Sequence, residues 1–153
     1  MRVVDANVLL YAVNADSQHH EVSRRWLDRA LSGSDTVGFT WLALTAFLRL
    51  STKIGLFPAP LSVDDALDQV GAWLDAPGAR VLEPTGQHVT VLWRLLGEVG
   101  AGGNLVSDAH LAAVALEHRA SVVSFDNDFG RFREVRWERP TDLLREGEGE
   151  EHR

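Results

Sequence analysis

The chain has 153 residues, is 45% hydrophobic with five Trp, and carries a formal net charge of -7. That length and apolar content suffice for the core of one domain, and the negative balance argues against broad electrostatic capture of nucleic acid or anionic membrane, whose binders carry a basic face. The absence of cysteine excludes a disulfide framework, a thiolate metal site and a cysteine nucleophile, and fits a reducing cytoplasm.

The N-terminal stretch Arg2-Val3-Val4-Asp5-Ala6-Asn7-Val8-Leu9-Leu10 reads as a buried strand that runs into an acid. It lacks the apolar core of a signal peptide, and no segment approaches the roughly 20 apolar residues that span a bilayer. A cytoplasmic protein is expected. Residues 17–31 place Val22, Trp26, Leu27, Ala30 and Leu31 on one helical face, with Arg24, Arg25, Asp28 and Arg29 largely opposite and Gly33 as a stop. Residues 36–39 are of strand length, and Thr40 can cap a helix from Trp41 to about Lys53. Ser62, with Asp65 three positions on, opens a helix that runs to Pro77-Gly78.

A short strand is expected over residues 80–83 and a helix over 89–99, followed by the Gly100-Ala101-Gly102-Gly103 loop. From Ser107, Leu111, Ala112, Ala115 and Leu116 form a helical face of mostly small residues, and 120–125 read as a buried strand ending at Asp126. A last strand is expected at 134–137. Beyond Pro140 the pattern is lost, and residues 146–153, with four Glu against one Arg, carry -3 of the total charge and are expected to be a disordered tail. Helices alternating with short, continuously apolar strands indicate an α/β fold with a parallel sheet covered on both faces.

Four carboxylates stand out by position: Asp5 after the first strand, Asp108 at a helix start, and Asp126 with Asp128 in a turn after a late strand. Each alone is explained by capping or turn chemistry. Together they are not, because caps and turns do not require acids to converge at one end of one sheet. If the first and the late strand are neighbours at a switch point, their carboxylates meet in one crevice. Convergent acids repel and raise one another's pKa, so the set calls for a cation. With hard oxygen donors and no Cys, that cation is Mg2+ or Mn2+.

Val3-Val4-Asp5-Ala6-Asn7-Val8-Leu9-Leu10-Tyr11, Ser107-Asp108-Ala109-His110-Leu111-Ala112-Ala113-Val114-Ala115 and Ser124-Phe125-Asp126-Asn127-Asp128-Phe129 together resemble the three motif regions of PIN-domain ribonucleases, most closely the VapC toxins of bacterial VapBC toxin-antitoxin systems. The resemblance spans residues 1–144 and implies a PIN-like three-layer α/β/α domain around a central parallel sheet of about five short strands. It also implies a metal-dependent endoribonuclease with Asp5, Asp108, Asp126 and Asp128 around Mg2+ (or Mn2+), Asn7 and Ser124 as polar support, an RNA substrate, a homodimer, and a VapB-type antitoxin. Many PIN domains carry a Glu in the helix after the second strand. Here residues 41–49 have none and Ala46 stands about where it would fall, so Asp5 is expected to carry a larger share of the metal binding.

Other features are ordinary by comparison. His110 and His118, eight residues apart, do not have the i, i+4 spacing of a helical metal pair, and His19-His20 at a helix start is equally plain. Trp26, Trp41, Trp73 and Trp93 are expected in core or subunit packing rather than in base stacking. The Arg24, Arg25 and Arg29 stripe, with Arg49 and Lys53, is by default a solvated face. Arg131 and Arg133 directly follow the acidic turn and are candidate phosphate ligands. Two other readings stay open: a haloacid-dehalogenase-like phosphatase, weakened by Asn7 where a second Asp is needed, and a catalytically degenerate PIN domain that binds RNA or a protein.

Overall fold

A computed structural model of the chain describes residues 1–151. Five parallel strands form one sheet in the order β3-β2-β1-β4-β5: β1 (Arg2–Val4), β2 (Val37–Phe39), β3 (Ala79–Val81), β4 (Ser121–Val123) and β5 (Trp137–Glu138). From β1 the chain builds outward through β2 to β3, then returns to lay β4 and β5 on the other side. The order reverses between β1 and β4, which is where an open α/β sheet places its ligand crevice.

Side-chain alternation along these short strands divides the interior into two layers. Val4, Val37, Phe39 and Val123 face one cluster, built with α1 (Ala6–Val13), α2 (His20–Arg29), α3 (Trp41–Ser51), α4 (Val63–Asp75) and α7 (Pro140–Glu151). Val3 and Val122 face the other, built with α5 (His88–Val99) and α6 (Leu105–Glu117). The result is the expected three-layer α/β/α arrangement. In α6, Ala109, Ala112, Ala113 and Ala115 are fully buried, because small side chains let this helix lie close against the sheet.

Local signals hold where the chemistry is local. Thr40 Oγ1 accepts from Ala43 N at 3.2 Å to start α3, and Ser62 Oγ accepts from Asp65 N at 3.1 Å to start α4. Gly33, at φ 115°, turns the chain out of the wide last turn after α2.

Three expectations are corrected. The opening apolar run is a strand only as far as Val4. Asp5, extended at φ -80° and ψ 153°, then starts α1 by accepting from Ala6 N at 2.8 Å. An apolar run of this length does not by itself separate strand from helix. The last strand is Trp137–Glu138 rather than 134–137, because Phe132 and Val135 turn into the core ahead of it.

The third correction is the acidic run, which is helical as far as Glu151; residues 152–153 of the expected disordered tail lie outside the described residues. Leu143 and Leu144 anchor α7 in the core, Glu148 lies 3.5 Å from Arg25, and a side chain at Gly147 would meet the Arg29 guanidinium at 2.6 Å. Arg25 of the basic stripe thus answers the acidic run, whereas Arg24 is held within α2 by Glu21 and Asp28. Of the four tryptophans expected in packing, Trp26 and Trp73 are buried, whereas Trp41 is 48% and Trp93 81% exposed.

Candidate active site

β1 and β4 pair residue for residue from Arg2↔Ser121 to Val4↔Val123, and Asp5 N donates to Val123 O at 2.9 Å. That register carries Asp5 and Ser124 out of the sheet side by side. The fully buried Ser124 hydroxyl donates to Asp5 Oδ2 at 2.7 Å and accepts from Asp126 N at 2.9 Å. Asn7 donates to Ser124 Oγ at 3.2 Å and more weakly to Asp5 Oδ2 at 3.4 Å, and accepts from Phe125 N at 3.3 Å. Asn7 and Ser124 therefore brace the two strand exits against each other.

Beyond Ser124, Asp126 caps a short 3-10 turn, Asn127–Arg131, its Oδ1 accepting from Asp128 N at 2.9 Å. Phe129, fully buried, and Phe132, 1% exposed, pin this turn into the core. Asp108 enters from the first turn of α6. Among the described residues, Asp108, Asp126 and Asp128 each offer a ligand atom within 4.8 Å of the others'.

Asp5 stands outside that group of three. Its carboxylate is already engaged by Ala6 N, Ser124 and Asn7, so it borders the cluster rather than forming its centre. α3 contributes no acid. Ala46 is half-buried and Phe47 is fully buried against Trp73, 4.8 Å between ring centroids.

Electrostatics separate Asp108 and Asp5 from ordinary surface carboxylates. Asp108 is pushed up from 3.8 to about 7, by burial first and then by Asp126, Asp5 and Asp128. Burial also raises Asp5 and outweighs its bonds to Ser124 and Ala6, with Asp126 adding repulsion. An acid raised by burial and by its acidic neighbours has too little positive charge around it. Three hard oxygen donors without sulfur or imidazole fit Mg2+ or Mn2+, so Asp108, Asp126 and Asp128 could hold such an ion, with Asp5 beside them.

A PIN domain family model matches residues 2–135. The chain is 61% identical over 144 residues to Ribonuclease VapC37 of Mycobacterium tuberculosis, covering 94% of this chain and 100% of that protein. The chain belongs to the VapC ribonucleases of the PIN-domain family. It is also 41% identical to VapC ribonuclease Mb2897 of Mycobacterium bovis, over 93% of this chain and 97% of that one. Two solved structures share the fold at a TM-score of 0.65. One is VapC20 of Mycobacterium tuberculosis, a sarcin-ricin loop cleaving toxin, at 21% identity over 89% of this chain and 99% of that chain. The other is VapBC2 of Rickettsia felis bound to a promoter DNA fragment, at 17% identity over 90% of this chain and 97% of that chain. PIN membership displaces the phosphatase reading, and Asn7 has a structural part instead.

Around this VapC site, the candidate phosphate ligands Arg131 and Arg133 each stand beside a carboxylate. Arg131 Nε lies 3.7 Å from Asp128, and Arg133, 91% exposed, lies 3.7 Å from Glu98. The histidines are held in contacts that sequence spacing does not reveal. His88 on α5 meets Glu117 at 2.6 Å and His110 at 2.9 Å, while His118 Nε2 lies 2.7 Å from Glu83 O. Burial raises the Glu117 carboxyl, but bonds from Thr85 and His88 outweigh it and hold it below its ordinary value. His110 is lowered by burial and by His88, with Glu117 opposing. This network ties α6, and therefore Asp108, to α5.

His19, Tyr11 and Phe125 form an aromatic group beside the β4 exit, the His19 and Phe125 rings stacked 4.4 Å apart. Arg139 is a further residue that sequence reasoning missed. It follows β5, donates through Nη2 to Asn127 Oδ1, and lays its guanidinium 5.1 Å from the Trp137 ring centroid. Its arrival beside the acidic turn depends on β5 pairing with β4, for which the sequence carries no local signal.

Proposed function

We propose that this chain is an Mg2+-dependent endoribonuclease toxin that hydrolyses RNA phosphodiester bonds and is neutralised by a VapB-type antitoxin. The gathering of Asp108, Asp126 and Asp128 within 4.8 Å at the switch point, in a VapC family member, carries this reading. Asp108, Asp126 and Asp128 would hold the divalent cation, Mg2+ or Mn2+, with Asp5 held in place by Ser124 and Ala6. When bound, the cation supplies positive charge against the negative charge that develops on a phosphodiester under attack. The chain's own residues orient the acids: the Ser124 hydroxyl joins the β1 and β4 exits, and the Asn127–Arg131 turn presents Asp128 beside Asp126.

A homodimer in the cytoplasm belongs to the same reading. The exposed outer stripe of α5, with Val89 70% and Trp93 81% exposed, suits a second subunit, and no helix among the described residues is long and apolar enough to cross a membrane. The absence of an acid on α3 favours the alternative of a degenerate PIN domain that binds without cleaving. Incubation of purified protein with total RNA and Mg2+ separates the two readings. Cleavage that is lost in EDTA and in Asp126→Ala is expected, together with relief of growth inhibition in vivo. An intact RNA population with the unsubstituted chain, or full cleavage by Asp126→Ala, would sink the nuclease mechanism.

A further inference from the structure

A phosphodiester approaching four carboxylates needs a cation that is not already neutralised. Two of the arginines around the acidic turn are exposed and each lies near a carboxylate. Arg131 is paired with Asp128 itself, and Arg133 points into solvent beside Glu98. Arg139 differs in three respects. Among the described residues it makes no ion pair with a carboxylate, and its side-chain acceptor is the neutral Asn127, which uses one of five guanidinium N–H donors. Its Cζ lies 5.1 Å from the Trp137 ring centroid, and the Nε1 edge of that ring is 3.4 Å from where a side chain on Gly130 would stand, so the ring that Arg139 overlies packs against the acidic turn. Its backbone N–H is fixed by Asp142 Oδ2 at 3.2 Å.

Register puts this cation at the right end of the sheet. Ser124 N donates to Glu138 O at 3.1 Å, so the residue after Glu138 leaves the sheet beside the β4 exit that leads to Asp126. A planar, pre-positioned guanidinium with free donors suits a phosphate, which it can grip with two N–H groups at once.

We propose that Arg139 holds a backbone phosphate of the RNA substrate beside the Asp108, Asp126 and Asp128 cluster, with Trp137 and Asn127 fixing the guanidinium for that contact. The inference rests on the nuclease reading and assigns it a substrate-binding residue that the sequence pattern did not single out.

The test measures binding of a fluorescent single-stranded RNA by anisotropy across a salt series, in full-length protein carrying Asp126→Asn to suppress cleavage. Adding Arg139→Ala should weaken binding about ten-fold and flatten the slope of log K against log salt by about 0.7, the value for one lost phosphate contact on a single strand. Arg139→Lys should restore the slope but only part of the affinity, since an ammonium keeps the charge without the planar fork. Arg80→Ala, which removes the same charge from β3 at the far edge of the sheet, should change neither.

Unchanged affinity and slope in Arg139→Ala overturns the inference. So does weaker binding at an unchanged slope, which would mark a merely structural part, or an equal loss in Arg80→Ala. Failure of the nuclease reading looks different. Protein without Asp126→Asn that binds RNA but never cleaves it leaves the Arg139 comparison decisive, whereas protein that binds no RNA at all overturns both.

Discussion

The two ends of α6 carry carboxylates with opposite fates. Asp108, in the first turn, is pushed up to about 7 by burial and by Asp126, Asp5 and Asp128. Glu117, the last residue, is held below its ordinary value because the Thr85 backbone and hydroxyl and the His88 ring all serve it. Both acids sit at helix ends and both are partly withdrawn from water, so neither feature distinguishes them. The neighbours do. An acid provided with donors is fastened into the scaffold, while an acid facing other acids lacks positive charge that a cation could supply. Glu117 fastens α6 to α5, and the fastened helix can then hold Asp108 against its like-charged partners.

The largest effect should come from the unsatisfied end. Asp108→Asn is expected to lower RNA cleavage about a thousand-fold, roughly 4 kcal/mol of barrier, with the far-UV circular dichroism spectrum unchanged. The same substitution should stabilise the metal-free protein. Because the folded-state value of Asp108 lies above its ordinary 3.8, the native chain binds more protons than the unfolded one between about pH 4 and 7, and this group's contribution to stability falls as pH rises through that window. Metal-free Asp108→Asn should therefore melt a few degrees higher than the unsubstituted chain at pH 8 and no higher at pH 4. Mg2+ or Mn2+ should raise the melting temperature of the unsubstituted chain and leave that of the variant unmoved. Equal metal-induced shifts in both would break the contrast between the two ends.

Smaller effects are expected at the satisfied end. Glu117→Ala removes the acceptor of Thr85 and His88 and should cost about 1–2 kcal/mol in urea unfolding, while cleavage at saturating RNA stays within a few-fold. A thousand-fold loss of cleavage there would erase the distinction between scaffold and site. Glu117→Gln keeps the shape and removes the charge, and its effect should be greatest near neutrality and smallest in acid. Since the folded-state value of Glu117 is lowered, its stabilisation is present above its unfolded value of 4.5 and disappears as pH falls through the folded one. Melting curves of Glu117→Gln and the unsubstituted chain should accordingly converge in acid, the reverse of the Asp108 pattern.

How much of this was legible in the sequence follows from the range of each interaction. The caps at Thr40 and Ser62 act over three residues and were readable as patterns. The helix behind Asp5 was not, since Val8, Leu9 and Leu10 are as apolar as a buried strand and only the backbone turn at Asp5 decides between them. The terminal acidic run reads as self-repelling in isolation. Arg25 and Arg29, more than a hundred residues upstream, change its surroundings. Asp5, Asp108, Asp126 and Asp128 could be named in advance because each follows a strand or opens a helix, yet the membership of the inner cluster could not. Asp5 accepts from Ala6, Ser124 and Asn7, and the bond from Ser124 is visible only once β1 lies against β4.

The amino-acid order by itself determined the alternation of short strands and amphipathic helices, the acids at their ends and the kinship with PIN domains, because these depend on neighbours in the chain and on side-chain chemistry alone. The tertiary structure decided which acids converge, which are already hydrogen-bonded, and where the Arg139 guanidinium is held. Those outcomes depend on contacts across long separations, 119 residues between Asp5 and Ser124 and 12 between Asn127 and Arg139, and such contacts exist only after the strands have chosen their order in the sheet.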